Sequence, residues 1–197
     1  MSIQAETLKI VKDRVAVLIG KKGVTKKFIE EKTNTKIHIE SQECIVTIKL
    51  IEGSPDPLGA WKARDICKAI SRGFSPERSY RLLDDDEILE IIKISNLVGK
   101  NPKRIKRIKS RLIGENGKTR TILEESTDVF ITIYGDTIAL IGTLSDDSLK
   151  IAKKAISMII EGLSHSTVYT FLQKKRRFLN KSKMSMWKTF AYNEDDI

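Results

Sequence analysis

The sequence predicts an α+β protein made of two tandem copies of one β-α-α-β-β-α unit. The pattern apolar–Ile–Gly–x–x–Gly, followed by a run rich in Lys and Thr, occurs at Gly20 and again at Gly114, 94 residues later. Each glycine pair lies between two amphipathic segments, and similar strand and helix patterns surround both pairs. A spacing of this size suits two tandem domains rather than a solenoid array.

The first copy opens with a short strand, predicted over 7–11, and a helix that ends at the glycines. A second helix is predicted over 25–32. Around Ile37, apolar and polar residues alternate, which indicates a strand, and the next strand is predicted over 45–50. A closing helix over 57–71 completes the unit, giving one three-stranded antiparallel sheet covered by helices.

The second copy repeats this order. In its first helix, taken to run from Lys100 to the glycines, Ile105, Ile108 and Leu112 share one face. The other face carries Arg104, Arg107 and Arg111, at spacings of three and four. The remaining elements are predicted as a strand over 88–94, a helix over 118–125, strands over 129–134 and 137–141, and a helix over 146–162. Tyr134-Gly135-Asp136 is typical of a hairpin turn.

Four segments follow from this repeat: a first domain over 1–73, a linker over 74–87, a second domain over 88–163, and a C-terminal basic helix and tail over 164–197. The linker contains a predicted short helix and the acidic run Asp84–Glu87. We interpret the acidic run as a solvated turn, because the spaced ligands of a metal site are absent. The tail helix is predicted over 166–179, with an apolar stripe that packs on the second domain.

The composition points to an anionic partner. Lys and Arg total 36 against 26 Asp and Glu, a formal charge of +10, which favours nucleic acid; a merely basic surface is the alternative. Cys44 and Cys67 are far apart and suit a reducing compartment. No signal peptide or apolar run of membrane-helix length is visible, so we expect a cytoplasmic protein without membrane contact.

The glycine pairs predict a phosphate-binding turn. Glycine permits backbone angles that a Cβ forbids, and its missing side chain lets a sugar–phosphate backbone approach. The amides at the start of the following helix favour an anion. A lone Gly-x-x-Gly is a weak signal, but the same motif between two helices in a repeated β-α-α-β-β-α unit is strong.

These residues carry a family resemblance. The stretches VAVLIGKKG at 15–23 and RLIGENGKT at 111–119 resemble K-homology (KH) domains, whose Gly-x-x-Gly loop holds about four nucleotides of single-stranded nucleic acid. The order, with one strand before the two helices and a final helix, is similar to the eukaryotic, type I arrangement.

Two further stretches make the resemblance more specific: residues 160–177, and GFSPERSYRLL at 73–83. Both are similar to archaeal members of the partner-of-Nob-one family. The resemblance implies a tandem KH protein that binds single-stranded RNA in the 3′ region of small-subunit rRNA. It also implies partners: the pre-ribosomal small subunit and the endonuclease that trims that rRNA end. No catalysis, cofactor or metal is implied.

The expected RNA-binding residues lie in both loops, in the basic helix before the second loop, in the helix after it, and in the C-terminal helix. They are Gly20, Lys21, Lys22, Gly23, Lys103, Arg104, Arg107, Arg111, Gly114, Glu115, Asn116, Gly117, Lys118, Arg120, Lys174 and Lys175. The first loop has the more usual basic middle pair, and in the second Glu115 must point away from a phosphate. The dense basic helix nevertheless favours the second domain as the dominant one.

Other functions stay open at this stage. A tandem KH protein could instead regulate mRNA or single-stranded DNA, or act as a docking scaffold for other assembly factors. A nuclease is disfavoured, because no carboxylate cluster or histidine pair stands at catalytic spacing. His38 and His165 have no Cys or His neighbour at ligand spacing, and His165 is expected at the start of the terminal helix.

Overall fold

A computed structural model describes residues 5–144 and 147–177 of the chain. By their internal contacts the described residues divide into two compact units, one comprising 5–93 with 132–141, and the other 94–131 with 142–144 and 147–177. None of the helices in the described ranges combines the length and the apolar character that a membrane span requires.

The first repeat forms the predicted unit. Its sheet has the strand order β1-β3-β2, and both pairings are antiparallel, with Leu8 opposite Val46 and Ile37 opposite Ile48. The elements are β1 (Glu6–Lys9), α1 (Val15–Ile19), α2 (Val24–Thr33), β2 (Thr35–Glu40), β3 (Ile45–Leu50) and α3 (Gly59–Ser71). A short helix α4 (Pro76–Ser79) and a 3₁₀ turn (Tyr80–Leu83) follow α3.

The second repeat has the same topology, with the strand order β4-β6-β5. Its elements are β4 (Glu87–Lys93), α5 (Ile94–Val98), α6 (Pro102–Ile113), α7 (Lys118–Thr127), β5 (Phe130–Tyr134), β6 (Thr137–Thr143) and α8 (Ser148–Glu161). A further helix, α9, covers 165–177. The predicted fold class is therefore confirmed, whereas the domain boundaries inferred from the sequence stay a prediction.

Two element predictions were wrong in detail. Strand β1 ends at Lys9, not at Val11, because the chain turns into a 3₁₀ helix and the Val11 amide donates to the hydroxyl of Ser71 at 3.0 Å. Lys100 lies outside the basic helix, because the short helix α5 ends before Gly99 and the side chain of Asn101 caps α6. The basic helix therefore starts at Pro102.

Equivalent side-chain hydrogen bonds stabilise each of the two repeats. Glu30 on α2 accepts from the amide of Ile37 at 2.7 Å, and Glu124 on α7 accepts from the amide of Ile131 at 2.6 Å. In each repeat this carboxylate ties the helix after the loop to the strand that follows it. The helices are also anchored by fully buried apolar residues, of which Ile29 and Leu123 lie at matching positions.

Candidate nucleic-acid interface

The two glycine loops have the same backbone conformation. The first glycine has φ/ψ of 75°/170° at Gly20 and 75°/177° at Gly114. Two residues on, the chain is left-handed, with φ/ψ of 54°/25° at Lys22 and 50°/28° at Asn116. The closing glycines also have positive φ, of 78° and 79°, and each is the N-cap of the next helix. The two copies of the sequence motif thus have the same backbone geometry.

The first and the last glycine are required for different reasons. A Cβ on Gly114 would lie 2.3 Å from Oγ1 of Thr119, and a Cβ on Gly20 would lie 2.3 Å from Oγ1 of Thr25. No heavy atom lies within 4 Å of a Cβ placed on Gly117. The first glycine is therefore packed against the protein, and the last one leaves an open surface that a ligand backbone can approach.

The middle of each loop offers free amides. The amide of Gly117 donates to the carbonyl of Gly114 at 3.3 Å, and that of Gly23 donates to Gly20 at 3.1 Å. Across the part of the chain that the structure describes, the amides at the two middle positions of either loop make no such backbone hydrogen bond. They lie before the N-terminus of a ten-residue helix, where the helix dipole favours an anion.

The second loop borders a basic depression of about 600 Å³. Lys103, Lys106 and Arg107 are exposed on α6 and line it, and none of them forms an ion pair within residues 5–144 and 147–177. Such a group of unpaired cations beside open amides suits a polyanion. The other lining residues are Ser110, Arg111, Gly114, Glu115 and His165.

Arg111 is held differently from its neighbours. Its guanidinium donates to the carbonyl of Ile159 at 2.9 Å and to the carbonyl of Leu163, which fixes it at the C-terminal end of α8. Nε2 of His165 lies 2.9 Å from the carbonyl oxygen of Arg111. Part of the donor capacity of Arg111 is thus used inside the protein, whereas Arg104 and Arg107 are exposed.

The helix after the second loop holds two more predicted residues. Lys118 is exposed in the first turn of α7, and Arg120 is half-buried in the same turn. Nε of Arg120 is buried without a hydrogen-bond partner in the described part of the protein. Lys118 therefore has the more accessible charge.

The first loop has fewer cations around it. Lys21 and Lys22 are exposed, but α1 before them, with the sequence VAVLI, contains no basic residue. The nearest upstream arginine, Arg14, donates to the carbonyls of Ile70 and Phe74, at 2.8 and 2.5 Å. After the loop comes Val24, 65% exposed, where the second repeat has Lys118. The first loop therefore has fewer exposed cations beside it than the second.

The C-terminal helix α9 packs as the sequence predicted. Val168 and Leu172 are 0% and 1% exposed, and His165 begins the helix. Lys174 and Lys175 are exposed near its described end. The predicted continuation of this helix to residue 179, the tail over 180–197 and the start of the closing helix at 146 lie outside the described residues.

Sequence reasoning missed two tyrosines that support the loops. The hydroxyl of Tyr169 on α9 lies 3.0 Å from Oγ1 of Thr119, and Tyr80 interacts with the equivalent threonine, Thr25. Burial raises the pKa of Tyr80 above its ordinary value, although the bond to Thr25 opposes this rise. The available signal was spacing, since each tyrosine follows a glycine that ends a closing helix by seven residues.

Two residues of the acidic run form ion pairs. Asp85 pairs with Lys62 at 2.6 Å, and Glu87 pairs with Arg81 at 2.8 Å. Across residues 5–144 and 147–177 there is no group of three or more His, Cys, Asp and Glu side chains that could hold a metal ion.

Two β-α-α-β-β-α repeats, each with a left-handed Gly-x-x-Gly turn between its two helices, define a tandem KH protein of type I. KH domains are RNA-recognition modules that use this loop to clamp nucleic-acid backbone. Residues 88–177 match the family model for the second KH domain of PNO1, described as a eukaryotic type KH-domain (KH-domain type I), and residues 5–63 match the general KH domain model.

Known proteins agree with this class. A KH domain-containing protein of Methanocaldococcus jannaschii is 42% identical over 183 residues, which cover 93% of this chain and 79% of the relative. The crystal structure of Dim2p from Pyrococcus horikoshii OT3 matches with a TM-score of 0.81 and 47% identity, over 87% of this chain and 99% of that one. The a/eIF2α–aDim2p–rRNA complex from the same organism contains a chain with a TM-score of 0.84 and 45% identity, over 89% of this chain and 96% of that one.

The chain therefore belongs to the archaeal branch of the partner-of-Nob-one family, whose members are RNA-binding KH proteins of ribosome biogenesis.

Proposed function

We propose that this protein binds single-stranded RNA in the 3′ region of small-subunit rRNA, as a non-catalytic factor in the cytoplasmic maturation of the small ribosomal subunit. One observation carries the proposal: the second loop presents open amides beside the unpaired cations Lys103, Lys106 and Arg107. The similar aDim2p chain from Pyrococcus horikoshii was crystallised in a complex with a/eIF2α and rRNA, which supports rRNA as the ligand class.

In this function the second KH domain is the main RNA-binding domain. A phosphate accepts hydrogen bonds from the amides of Glu115 and Asn116, and the strand passes over Gly117, where the surface is open. The exposed cations of α6 hold neighbouring phosphates through charge-assisted hydrogen bonds. Lys21 and Lys22 in the first loop, and Lys174 and Lys175 on α9, extend the contact to further nucleotides.

The partner of this step is the endonuclease that trims the rRNA end. The KH protein presents the strand, and the nuclease cuts it within the pre-ribosomal small subunit. The basis for this partner is the resemblance of the chain to the partner-of-Nob-one family, whose second KH-domain model matches residues 88–177.

Matched changes in the two loops test the proposal. Changing Glu115 and Asn116 to Asp adds one negative charge to the second loop, and changing Lys21 and Lys22 to Asp reverses two charges in the first. Both left-handed positions, Lys22 and Asn116, tolerate Asp, so the turns are preserved. Because the charge stands beside a phosphate, we expect the change at 115–116 to weaken binding at least tenfold, or about 1.4 kcal/mol.

The assay is a titration of labelled single-stranded RNA from the 3′ end of the organism's small-subunit rRNA. A control variant with Lys9 and Lys49 changed to Asp alters the net charge as much as the first-loop variant does. Both lysines are exposed and lie on strands β1 and β3, not on a loop. If the change at 21–22 abolishes binding and that at 115–116 has no effect, the first domain is the dominant one. If neither loop change exceeds the control, the loops do not bind this RNA.

A further inference from the structure

The internal repeat extends beyond the KH folds. Residues 73–83, with the sequence GFSPERSYRLL, align without a gap with residues 162–172, GLSHSTVYTFL. The shared positions are Gly, Ser, Tyr and the final Leu. Gly73 and Gly162, which follow the closing helices α3 and α8, have the same φ of 102°. The segment predicted as a linker and the start of the C-terminal helix are therefore two copies of one element, here called the tyrosine turn.

Each tyrosine turn is fixed at its start in the same way. The hydroxyl of Ser75 accepts from the amide of Arg78, and the hydroxyl of Ser164 accepts from the amide of Thr167 at 3.2 Å. Such a serine cap starts a new helix turn directly after the glycine. The path of the chain toward the tyrosine is thus set by the same local hydrogen bond in both copies.

An arginine then clamps each turn to the end of its closing helix. Arg14 donates to the carbonyls of Ile70 and Phe74, and Arg111 donates to the equivalent carbonyls, those of Ile159 and Leu163. The two arginines stand at different distances from their loops, six and three residues before the first glycine. Arginines at different sequence positions thus donate to equivalent carbonyls in the two repeats, which indicates that this contact is a property of the fold.

Each turn carries a tyrosine beside the threonine that follows the glycine loop. The hydroxyl of Tyr169 lies 3.0 Å from Oγ1 of Thr119, and Tyr80, its equivalent, interacts with Thr25. Oγ1 of each threonine is the atom that a Cβ on the first loop glycine would approach to 2.3 Å. A chain of contacts therefore runs from the tyrosine hydroxyl through the threonine hydroxyl to the start of the loop.

We propose that Tyr80 and Tyr169 are positioning residues that hold the two Gly-x-x-Gly loops in their RNA-binding conformation before RNA arrives. The inference rests on the proposed RNA-binding function. In each loop one residue other than glycine, Lys22 or Asn116, has positive φ, a conformation that persists only where the surrounding structure supports it. A loop that is already ordered loses less conformational entropy on binding, which raises affinity without adding a contact.

The first test removes only the hydroxyl, in the variants Tyr169→Phe and Tyr80→Phe. Tyr134→Phe is the matched control, because the Tyr134 ring lies 5.9 Å from the Arg14 guanidinium and its hydroxyl makes no hydrogen bond among the described residues. We expect amide hydrogen exchange at Gly117 in the RNA-free protein to accelerate at least fivefold in Tyr169→Phe, and RNA affinity to fall three- to tenfold. The control should change neither value by more than twofold.

The second test separates the hydroxyl of the threonine from its shape. Thr119→Ser keeps the hydroxyl and should bind RNA within twofold of the natural protein, whereas Thr119→Val keeps the shape and should bind as weakly as Tyr169→Phe. Equal binding by the Val variant and the natural protein would overturn the proposal, as would unchanged exchange at Gly117 in Tyr169→Phe. If the natural protein binds no single-stranded RNA, the proposed function fails, but exchange in the free protein still decides whether the tyrosine positions the loop.

Discussion

Alanine at the two glycines of the second loop should have unequal effects on stability. At Gly117, with φ/ψ of 79°/5°, alanine must adopt a left-handed conformation, which costs about 1–2 kcal/mol, and its Cβ meets no atom within 4 Å. At Gly114 the φ/ψ of 75°/177° lies in a region that is almost restricted to glycine. The new Cβ would also lie 2.3 Å from Oγ1 of Thr119 and 2.7 Å from its backbone nitrogen.

The clash at Gly114 sets the magnitude. Because a backbone atom is involved, the first turn of α7 must move, and overpacking of this kind costs about 1–3 kcal/mol beyond the backbone strain. We therefore expect Gly114→Ala to lower the free energy of unfolding by at least about 2 kcal/mol more than Gly117→Ala. For a chain of this size that difference corresponds to a further fall in Tm of about 4–8 °C.

Urea unfolding followed by circular dichroism measures both variants, and the first loop supplies an independent replicate. A Cβ on Gly20 would lie 2.3 Å from Oγ1 of Thr25, and one on Gly23 would meet nothing within 4 Å, so the same order is expected there. Equal losses of stability in both variants of a loop, within about 0.5 kcal/mol, would contradict this expected order. Alanine at Gly117 that weakens RNA binding without a large loss of stability would agree with a strand lying on this open surface.

Three further predictions follow from the charges and the burial. Each phosphate contact on a single strand contributes about −0.7 to the slope of log affinity against log salt, so about five contacts give a slope of about −3 to −4; a slope near zero would exclude electrostatic binding. Deleting residues 164–197 removes Val168 and Leu172, which are 0% and 1% exposed. We therefore expect Tm to fall by on the order of 10 °C and RNA affinity to decrease. A truncated chain that melts and binds RNA like the full chain would show that α9 is independent of the rest of the protein. Burial raises the pKa of Cys67 to about 12, so the folded state favours the neutral thiol over the thiolate. The stability that this preference contributes is lost as pH rises above about 9, where the thiol of the unfolded chain ionises. Alkylation by iodoacetamide at about pH 8.5 should require unfolding, and rapid labelling of the folded protein would contradict this.

Most of the fold could be predicted because its signals are local. The strand Ile45–Leu50 was predicted at its observed bounds. On the predicted apolar face of the basic helix, Ile108 and Leu112 are buried and Ile105 is half-buried. Errors arose where a local pattern continued across a boundary. Lys100 extended the run of basic residues, but Gly99, with φ of 78°, ends the preceding segment and Asn101 caps the helix.

The two glycine loops of the candidate site could be predicted from the sequence, but the contacts that hold the surrounding side chains in place could not. The spacing of the glycines locates both turns, since positive φ and close packing require glycine there. Arg111 was grouped with Arg107 by helical spacing, yet its partners Ile159 and Leu163 lie 48 and 52 residues away in sequence. Charge pattern alone could not distinguish an arginine that clamps carbonyls from one that faces solvent.

The most direct test of the RNA target is ultraviolet crosslinking of the protein to RNA in the cells of its own organism, followed by sequencing of the bound fragments. We expect one dominant peak at the 3′ end of small-subunit rRNA, and this peak should weaken when Glu115 and Asn116 are changed to Asp. Fragments scattered over many mRNAs, with no enrichment at that rRNA end, would contradict the assignment to small-subunit maturation and favour a tandem KH regulator.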